Sequence, residues 1–564
     1  MLGPWRPGVR EERREPMGGE LILSLDAGTQ SMRALVFDPR GHLRYQARVP
    51  VHPPYHSPQP GWAEQEPDTY WEALARACRM LWGQGAQPDS LAALALTGQR
   101  ASVVNLDRQG RPLRPAILWL DGRRAERFPR VGGRWGLLFA LAGLRSTLEY
   151  LQAEAEANWL WANQPDVWER TAHYLLLSGY LTHRLTGRYV DSVGCQVGYV
   201  PFDYRRLTWS APSDWKWQAL PVRRETLPEL TPPARKLGEV TEPAARATGL
   251  PAGLPVVAAA ADKACEALGA GCLNPSLACI GYGTTATVNV TSPRYLEPIR
   301  LIPPYPSAVP GAYNLEFQVY RGFWLVSWFR EQFGQPETAA AGAQGPGEGP
   351  PVETLLDRLA EGVAPGSQGL VLHPYWSPGL RFPGPEARGA VVGFASFHTR
   401  AHFYRALLEG LAYAMREGRE RIERRTGVPV RELRVCGGGS RSDLVMQITA
   451  DVSDLPASRP GVAEASGLGA AVLAAVGAGL HRDLPTAVRE MTRTGERFEP
   501  RREAVAVYDD LYRRVYRRLY PRLRPLYREL PGATGGAATR GATTPAAGAA
   551  SEQAHSGAPS GRAN

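Results

Sequence analysis

Apolar and polar positions divide this chain into strands, helices and turns before any chemistry is considered. Leu21 to Asp38 holds two apolar runs, LILSLD and Met32 to Phe37, joined by Ala27-Gly28-Thr29. That pattern predicts a hairpin with Asp26, Thr29 and Arg33 gathered at its bend. A third strand, Leu43 to Val51, follows the turn Asp38-Pro39-Arg40-Gly41. An amphipathic helix from Asp68 to Trp82, capped by Asp68, precedes a strand from Leu91 to Thr97. Val103 to Leu106 and Ala116 to Leu120 are expected to continue the same sheet, and helical sequence runs through Trp159-Leu160-Trp161 and from Tyr174 to Leu185.

The second half repeats the opening. Val256 to Ala261 reads as a buried strand ending at Asp262-Lys263, and Leu277 to Ile280 as another, joined through Gly281-Tyr282-Gly283-Thr284-Thr285 to Ala286 to Val290. Strand, Gly-Thr turn, strand thus occurs twice, which predicts a duplicated α/β architecture with ligands between its halves. Gln335 to Pro351 reads as a mobile Gly/Pro/Ala loop and Ala401 to Arg424 as a long helix. Leu433 to Cys436 is a strand feeding Gly437-Gly438-Gly439-Ser440 and a helix from Asp443 to Ala450. A Gly-rich turn at a helix N-terminus offers free N–H groups and the positive dipole end to an anion. Glu464 to Leu480 is a small-residue helix able to pack closely, and Tyr508, Tyr512, Tyr516 and Tyr520 form an i, i+4 stripe expected to face the domain.

Length changes the picture first: 564 residues, 43% of them hydrophobic, exceed one core and predict two or three domains. The longest apolar run, Gly469 to Leu480, is interrupted by Gly and too short for a bilayer. Arg and Glu mix from Arg6 to Glu15, unlike a secretory signal, and Met17 offers an alternative start. The six cysteines show no CxxC and no paired spacing with His, so neither a zinc site nor a disulfide framework is expected and a reducing cytoplasm fits. A net charge of +10 is spread along the chain rather than gathered in a tract, which argues against a nucleic-acid partner. Of 65 cationic side chains only Lys216, Lys236 and Lys263 are lysines, so a lysine here is unusual.

The bend of the first hairpin carries candidate chemistry. A carboxylate such as Asp26 can hold Mg²⁺ directly or through water, while Thr29 and Arg33 can donate to phosphate oxygens. Six ordered motifs extend that reading: LDAGTQSMRALVFD (25–38), GWAEQEPDTYW (61–71), LTGQRASVVNLDRQGRPLRPAILWLDGR (96–123), the strand into Asp262, GYGTT (281–285), and CGGGSRSDLVMQITADVSDLP (436–456) with EASGLGAAVLAAVGAG (464–479). Together they resemble the FGGY carbohydrate kinases, which include xylulose and glycerol kinases, over residues 20 to 528.

The resemblance implies an α/β fold of two ribonuclease-H-like lobes, as in actin-like ATPases, with an interlobe cleft closing on ATP and a sugar or polyol. It implies a sugar-binding lobe over 20–261 and a nucleotide-binding lobe over 262–530, flanked by a disordered extension (1–19) and a disordered tail (531–564). Residue by residue, it puts Asp26, Gly28, Thr29 and Arg33 at the phosphate and metal, Asp26 being the magnesium ligand. Gly283, Thr284 and Thr285 would meet the phosphates from the second lobe, and Gly438, Gly439 and Ser442 the nucleotide. Asp262 falls at the catalytic base, with Arg100, Trp119 and Lys263 beside it at the substrate. Phosphoryl transfer needs these parts: in-line positioning, charge neutralisation and a carboxylate to take the attacking hydroxyl's proton.

The expected activity is therefore Mg-ATP-dependent phosphorylation of a sugar or polyol, a ketopentose such as xylulose first, by a cytoplasmic enzyme with no nucleic-acid or membrane partner and a homodimer as the one candidate assembly. The competing class is a non-catalytic sugar- or nucleotide-binding regulator of the same fold. The sugar pocket departs from the pattern: Ala101 stands where glycerol kinases carry Glu, Arg100-Ala101 replaces the Met-His pair of xylulose kinases, and Lys263 replaces the usual Gln or Asn. If Lys263 faces the cleft, it and Arg100 predict a cationic pocket suited to an acidic or oxygen-rich substrate; if it points away, it is a bystander. Asp121 and Arg123 either line that pocket or pair with each other.

Overall fold

A computed structural model describes residues 20–342, 351–379 and 381–530. The expectations for 1–19, 343–350 and 531–564 lie outside the described residues.

Two mixed sheets carry the chain. In the first, the strands Leu21–Ala27, Ser31–Phe37 and Leu43–Pro50 form an antiparallel meander, Leu91–Gly98 and then Pro255–Ala258 add in parallel to the first of them, and Lys236–Glu239 closes the far edge antiparallel. The second repeats that pattern strand for strand: the meander Leu277–Tyr282, Ala286–Ser292 and Tyr313–Val319, the parallel additions Glu432–Cys436 and Ala457–Pro460, and the antiparallel edge Thr494–Phe498, with Tyr305–Pro306 as one extra edge strand. The duplication read from two Gly-Thr turns is thus a duplication of whole sheets, and each turn sits between the first two strands of its own sheet. The central strands of both are buried on both faces, as sheets covered by helices require.

After the last parallel strand of each half comes a helix, Asp262–Gly269 in one and Ala465–Gly477 in the other, and the two cross in the middle of the molecule. A Cβ on Gly269 would lie 1.9 Å from the Ala465 carbonyl oxygen, and one on Gly469 2.0 Å from that of Cys265, so only glycine permits this approach. The Ala465–Gly477 helix is also packed onto the first sheet, through Leu468 and Ala470 to Ala475 against Ile22, Leu35, Ala93 and Val257. Residues 262–530 therefore do not form a lobe confined to its own sheet.

Several expectations are corrected. Val103–Leu106 and Ala116–Ile117 do not extend the main sheet; with Glu64–Gln65 and His173–Leu176 they build a separate four-stranded sheet, packed with Trp159, Phe202 and Trp209. Every residue of those two strands is buried, so no alternation marked which sheet they join. Tyr174 belongs to a strand, and the helix starts only at Leu177. The first long helix spans Pro67–Gly83; Glu66 takes the cap position, and Asp68 accepts instead from the Tyr180 hydroxyl at 2.6 Å and pairs with Arg184. Gln335–Gly342, expected in a loop, is helical. The tyrosine stripe packs inward as expected: Tyr508, Tyr512, Tyr516 and Tyr520 are buried in the second core. No helix among the described residues is long and apolar enough to cross a membrane.

Candidate functional site

At the first hairpin, Asp26 pairs across the strands with Arg33, whose guanidinium reaches the Asp26 carboxylate at 3.3 Å and Glu464 at 3.0 Å. Glu464 precedes the small-residue helix that lies on the first sheet, 431 residues away in sequence, which is why the hairpin alone gave no sign of it. Burial pushes the Asp26 carboxyl up to about 7; Arg33 opposes this, Asp262 and Glu464 reinforce it, and Lys263 opposes it more weakly. Asp26, buried at a strand end beside a Gly-Thr turn, is an oxygen donor of the kind that suits a hard divalent cation such as Mg²⁺. The Thr29 hydroxyl accepts the Trp119 indole N–H at 2.9 Å and lies 3.3 Å from Gln99.

Asp262 opens its helix at the cleft. Its Oδ1 accepts the Lys263 backbone N–H at 2.8 Å, its side chain is 36% exposed, and the Arg100 guanidinium stands 3.9 Å away. A cavity of about 450 Å³ brings Thr29, Arg100, Trp119, Asp262 and Lys263 together with Thr285, Tyr305 and Gln318 from the second half. A neighbouring chamber of about 420 Å³ shares Gly28, Thr29 and Trp119 with the first and adds Arg33 and Thr284. The tip of the first hairpin therefore stands between two chambers, with the second hairpin opposite.

Around that second hairpin, Gly283 donates its N–H to the Thr285 carbonyl at 3.0 Å. Gly437, at φ +84°, packs on it so closely that a Cβ would lie 2.6 Å from the Tyr282 carbonyl, and the Phe323 ring covers Gly439. A Cβ on Gly438 would meet nothing within 4 Å, so this residue alone of the three leaves room for a ligand. Ser442 follows the loop, but its hydroxyl is engaged within the fold. It is the cap of helix Asp443–Ser453, accepting the Val445 N–H at 3.1 Å, and it bonds Asp357, whose carboxyl burial raises and Ser442 pulls back. Side-chain–backbone capping of this kind is the ordinary work of a serine before a helix.

The excess positive charge expected of the pocket is absent. Arg100 makes a bidentate pair with Glu316, 3.1 Å on each arm, and Lys263 meets Glu266 at 3.0 Å one helical turn on. Lys263 does line the cavity, yet Glu266 and Asp262 hold it protonated against the burial that pulls it down. Glu316 was not legible locally, since it comes from the opposite sheet, 216 residues away, whereas Glu266 lies at i+3 on the helix of Lys263 and could have been read there. Asp121 and Arg123 form the internal pair, 2.8 Å apart, with Glu64 at 2.7 Å and the Trp62 and Trp159 rings around the guanidinium, so they build the fold rather than the pocket.

Two like halves, each presenting a Gly-Thr hairpin to a shared cleft, are the architecture of a two-lobed actin-like ATPase. The chain belongs to the FGGY family of carbohydrate kinases: that family's N-terminal domain matches residues 21–269 and its C-terminal domain residues 278–478. It is 31% identical to an uncharacterised sugar kinase of Escherichia coli, YgcE, over 87% of this chain and 92% of that one. It is 34% identical to a glycerol kinase of Methylibium petroleiphilum over 82% and 91%. The structure of a xylulose kinase from Rhodospirillum rubrum superposes with a TM-score of 0.72 at 28% identity, covering 90% of this chain and 99% of that one. The protein is a carbohydrate kinase.

Proposed function

We propose that the chain transfers the γ-phosphoryl group of ATP to a hydroxyl of a sugar or polyol, a ketopentose such as xylulose first among them, with Asp262 as general base. The observation that carries this reading is the position of Asp262: a partly exposed carboxylate on the wall of a cavity between the two halves, beside Arg100 and facing Thr29 and Thr285. A carboxylate so placed can take the proton of an attacking hydroxyl while the hairpins hold the phosphates in line.

Asp26 is assigned to magnesium, whose charge would offset that of the phosphates. Gly28, Thr29 and Arg33 are assigned to the phosphates from one side and Gly283, Thr284 and Thr285 from the other, with Gly438 at the nucleotide and Gly439, under the Phe323 ring, shaping the turn that presents it. Ser442 acts there as a cap that fixes the loop, and Trp119 orients Thr29. The cavity lies in the range of small-molecule sites, and Arg100, Gln318 and Asp262 give it the polar groups a polyhydroxylated ligand needs. Glu316 supplies, from the opposite sheet, the carboxylate missing at Ala101. With six free thiols, all buried, the enzyme is assigned to a reducing cytoplasm.

A coupled ADP-release screen across ketopentoses, ketohexoses, polyols and aldonates tests the proposal. A ketopentose should give the highest kcat/KM. ADP release that no sugar or polyol stimulates would refute it.

A further inference from the structure

Behind the cleft, where the Asp262–Gly269 helix meets the second sheet, three sulfur atoms converge. Cys279 lies on the strand Leu277–Tyr282 and Cys436 ends its parallel neighbour Glu432–Cys436, and their Sγ atoms are 3.7 Å apart. Cys272, from the turn after the helix, is buried in the same small cluster as both. The helix contributes Glu266, and a carboxylate oxygen of this residue lies within 4.8 Å of both the Cys279 and the Cys436 sulfur.

Two features point to a ligand. A tetrahedral ion with Zn–S bonds of 2.3 Å sets its sulfurs about 3.8 Å apart, the separation seen here, whereas a disulfide needs about 2.05 Å. Glu266 Oε1 is buried without a hydrogen-bond partner, while Oε2 is occupied by Lys263. A buried carboxylate oxygen is costly to leave unpaired, and this carboxylate stands within 4.8 Å of both sulfurs. The charges also close: two thiolates, one carboxylate, the Lys263 ammonium and a divalent ion sum to zero.

We propose that Cys279, Cys436 and Glu266, with Cys272 beside them, form a binding site for a thiophilic divalent cation of the zinc class, separate from the oxygen-lined position at Asp26. Binding releases the two thiol protons to solvent. The ion ties the helix that opens with Asp262 to the strands that end in Gly283-Thr284-Thr285 and Gly437-Gly438-Gly439. It thereby fixes the spacing between the proposed base and the nucleotide loops. The sequence pattern argued against such a site because its cysteines come from three separate elements, with no short spacing between them.

The test is titration of the reduced, chelator-treated full-length protein with Co²⁺, then Zn²⁺. Wild type should show a thiolate-to-cobalt charge-transfer band and tetrahedral d–d absorption saturating at one equivalent, displaced by Zn²⁺. Cys279→Ala with Cys436→Ala should abolish the band. Glu266→Gln, which keeps the core volume, should weaken binding by about tenfold or more. A Cys78→Ala control, at a thiol buried elsewhere, should bind like wild type. Absence of the band in folded wild-type protein, or a Glu266→Gln variant of unchanged affinity, would overturn the proposal.

Discussion

The ion pair between Arg100 and Glu316 joins the two halves across the cleft, and Glu316→Gln should expose what it does. Glu316 is almost wholly buried and Arg100 nearly so, so the substitution strands a desolvated guanidinium. Removing one partner of a buried pair costs about 3–5 kcal/mol. Two contacts reduce that figure here: Asp262 at 3.9 Å and the Tyr305 ring at 5.1 Å both remain, and the amide keeps one acceptor. A loss of about 2–3 kcal/mol is therefore expected. Freed from Glu316, Arg100 should turn to Asp262 and make it a weaker base, lowering kcat by about tenfold. Urea unfolding followed by tryptophan fluorescence, run on Glu316→Gln, Arg100→Met and the double variant, isolates the pair. The double variant should be more stable than the sum of the singles by about 1.5 kcal/mol or more. Singles that cost under about 0.5 kcal/mol each and simply add would refute the reasoning.

The glycine turn gives a second, contrasting prediction. Gly437→Ala, at a left-handed residue packed on Tyr282, should lower the melting temperature by several degrees, whereas Gly438→Ala should leave it unchanged and raise the KM for ATP by about tenfold. Burial holds the His373 imidazole down to about 3 against 6.5 when exposed, so the unfolded chain takes up a proton that the folded chain refuses. Stability should fall as pH drops below 6.5, by about 2 kcal/mol near pH 5, and unfolding of His373→Asn at pH 7.5 and 5 should show that this component of the pH dependence has gone. Trp119→Phe removes the indole N–H held by Thr29 and should raise the sugar KM several-fold without changing the melting temperature, as steady-state kinetics and a thermal melt would report.

What the sequence disclosed and what it hid follow from contact distance along the chain. The hairpin 21–37 was legible because Asp26 and Arg33 face each other across a local turn and the apolar period is unbroken. The second hairpin was legible for the same reason, and the two together implied duplication. Glu316 and Glu464 lie hundreds of residues from Arg100 and Arg33, so Arg100 looked uncompensated, while Glu266, one helical turn from Lys263, was within reach of the sequence and went unread. Strands buried on both faces, such as Val103–Leu106, carry no alternation and could not be assigned to a sheet. Ser442 shows the limit of a motif: its position was right for the loop, but its hydroxyl is spent on Val445 and Asp357.

The central claim is that Asp262 takes the proton of the attacking hydroxyl, and single-turnover phosphorylation by Asp262→Asn tests it most directly. The amide preserves size and can still accept the Lys263 N–H, so folding and ATP affinity should change by less than about twofold while the phosphoryl-transfer rate falls by at least about a hundredfold. A variant that binds ATP normally and transfers phosphate within a few-fold of the wild-type rate would contradict the account.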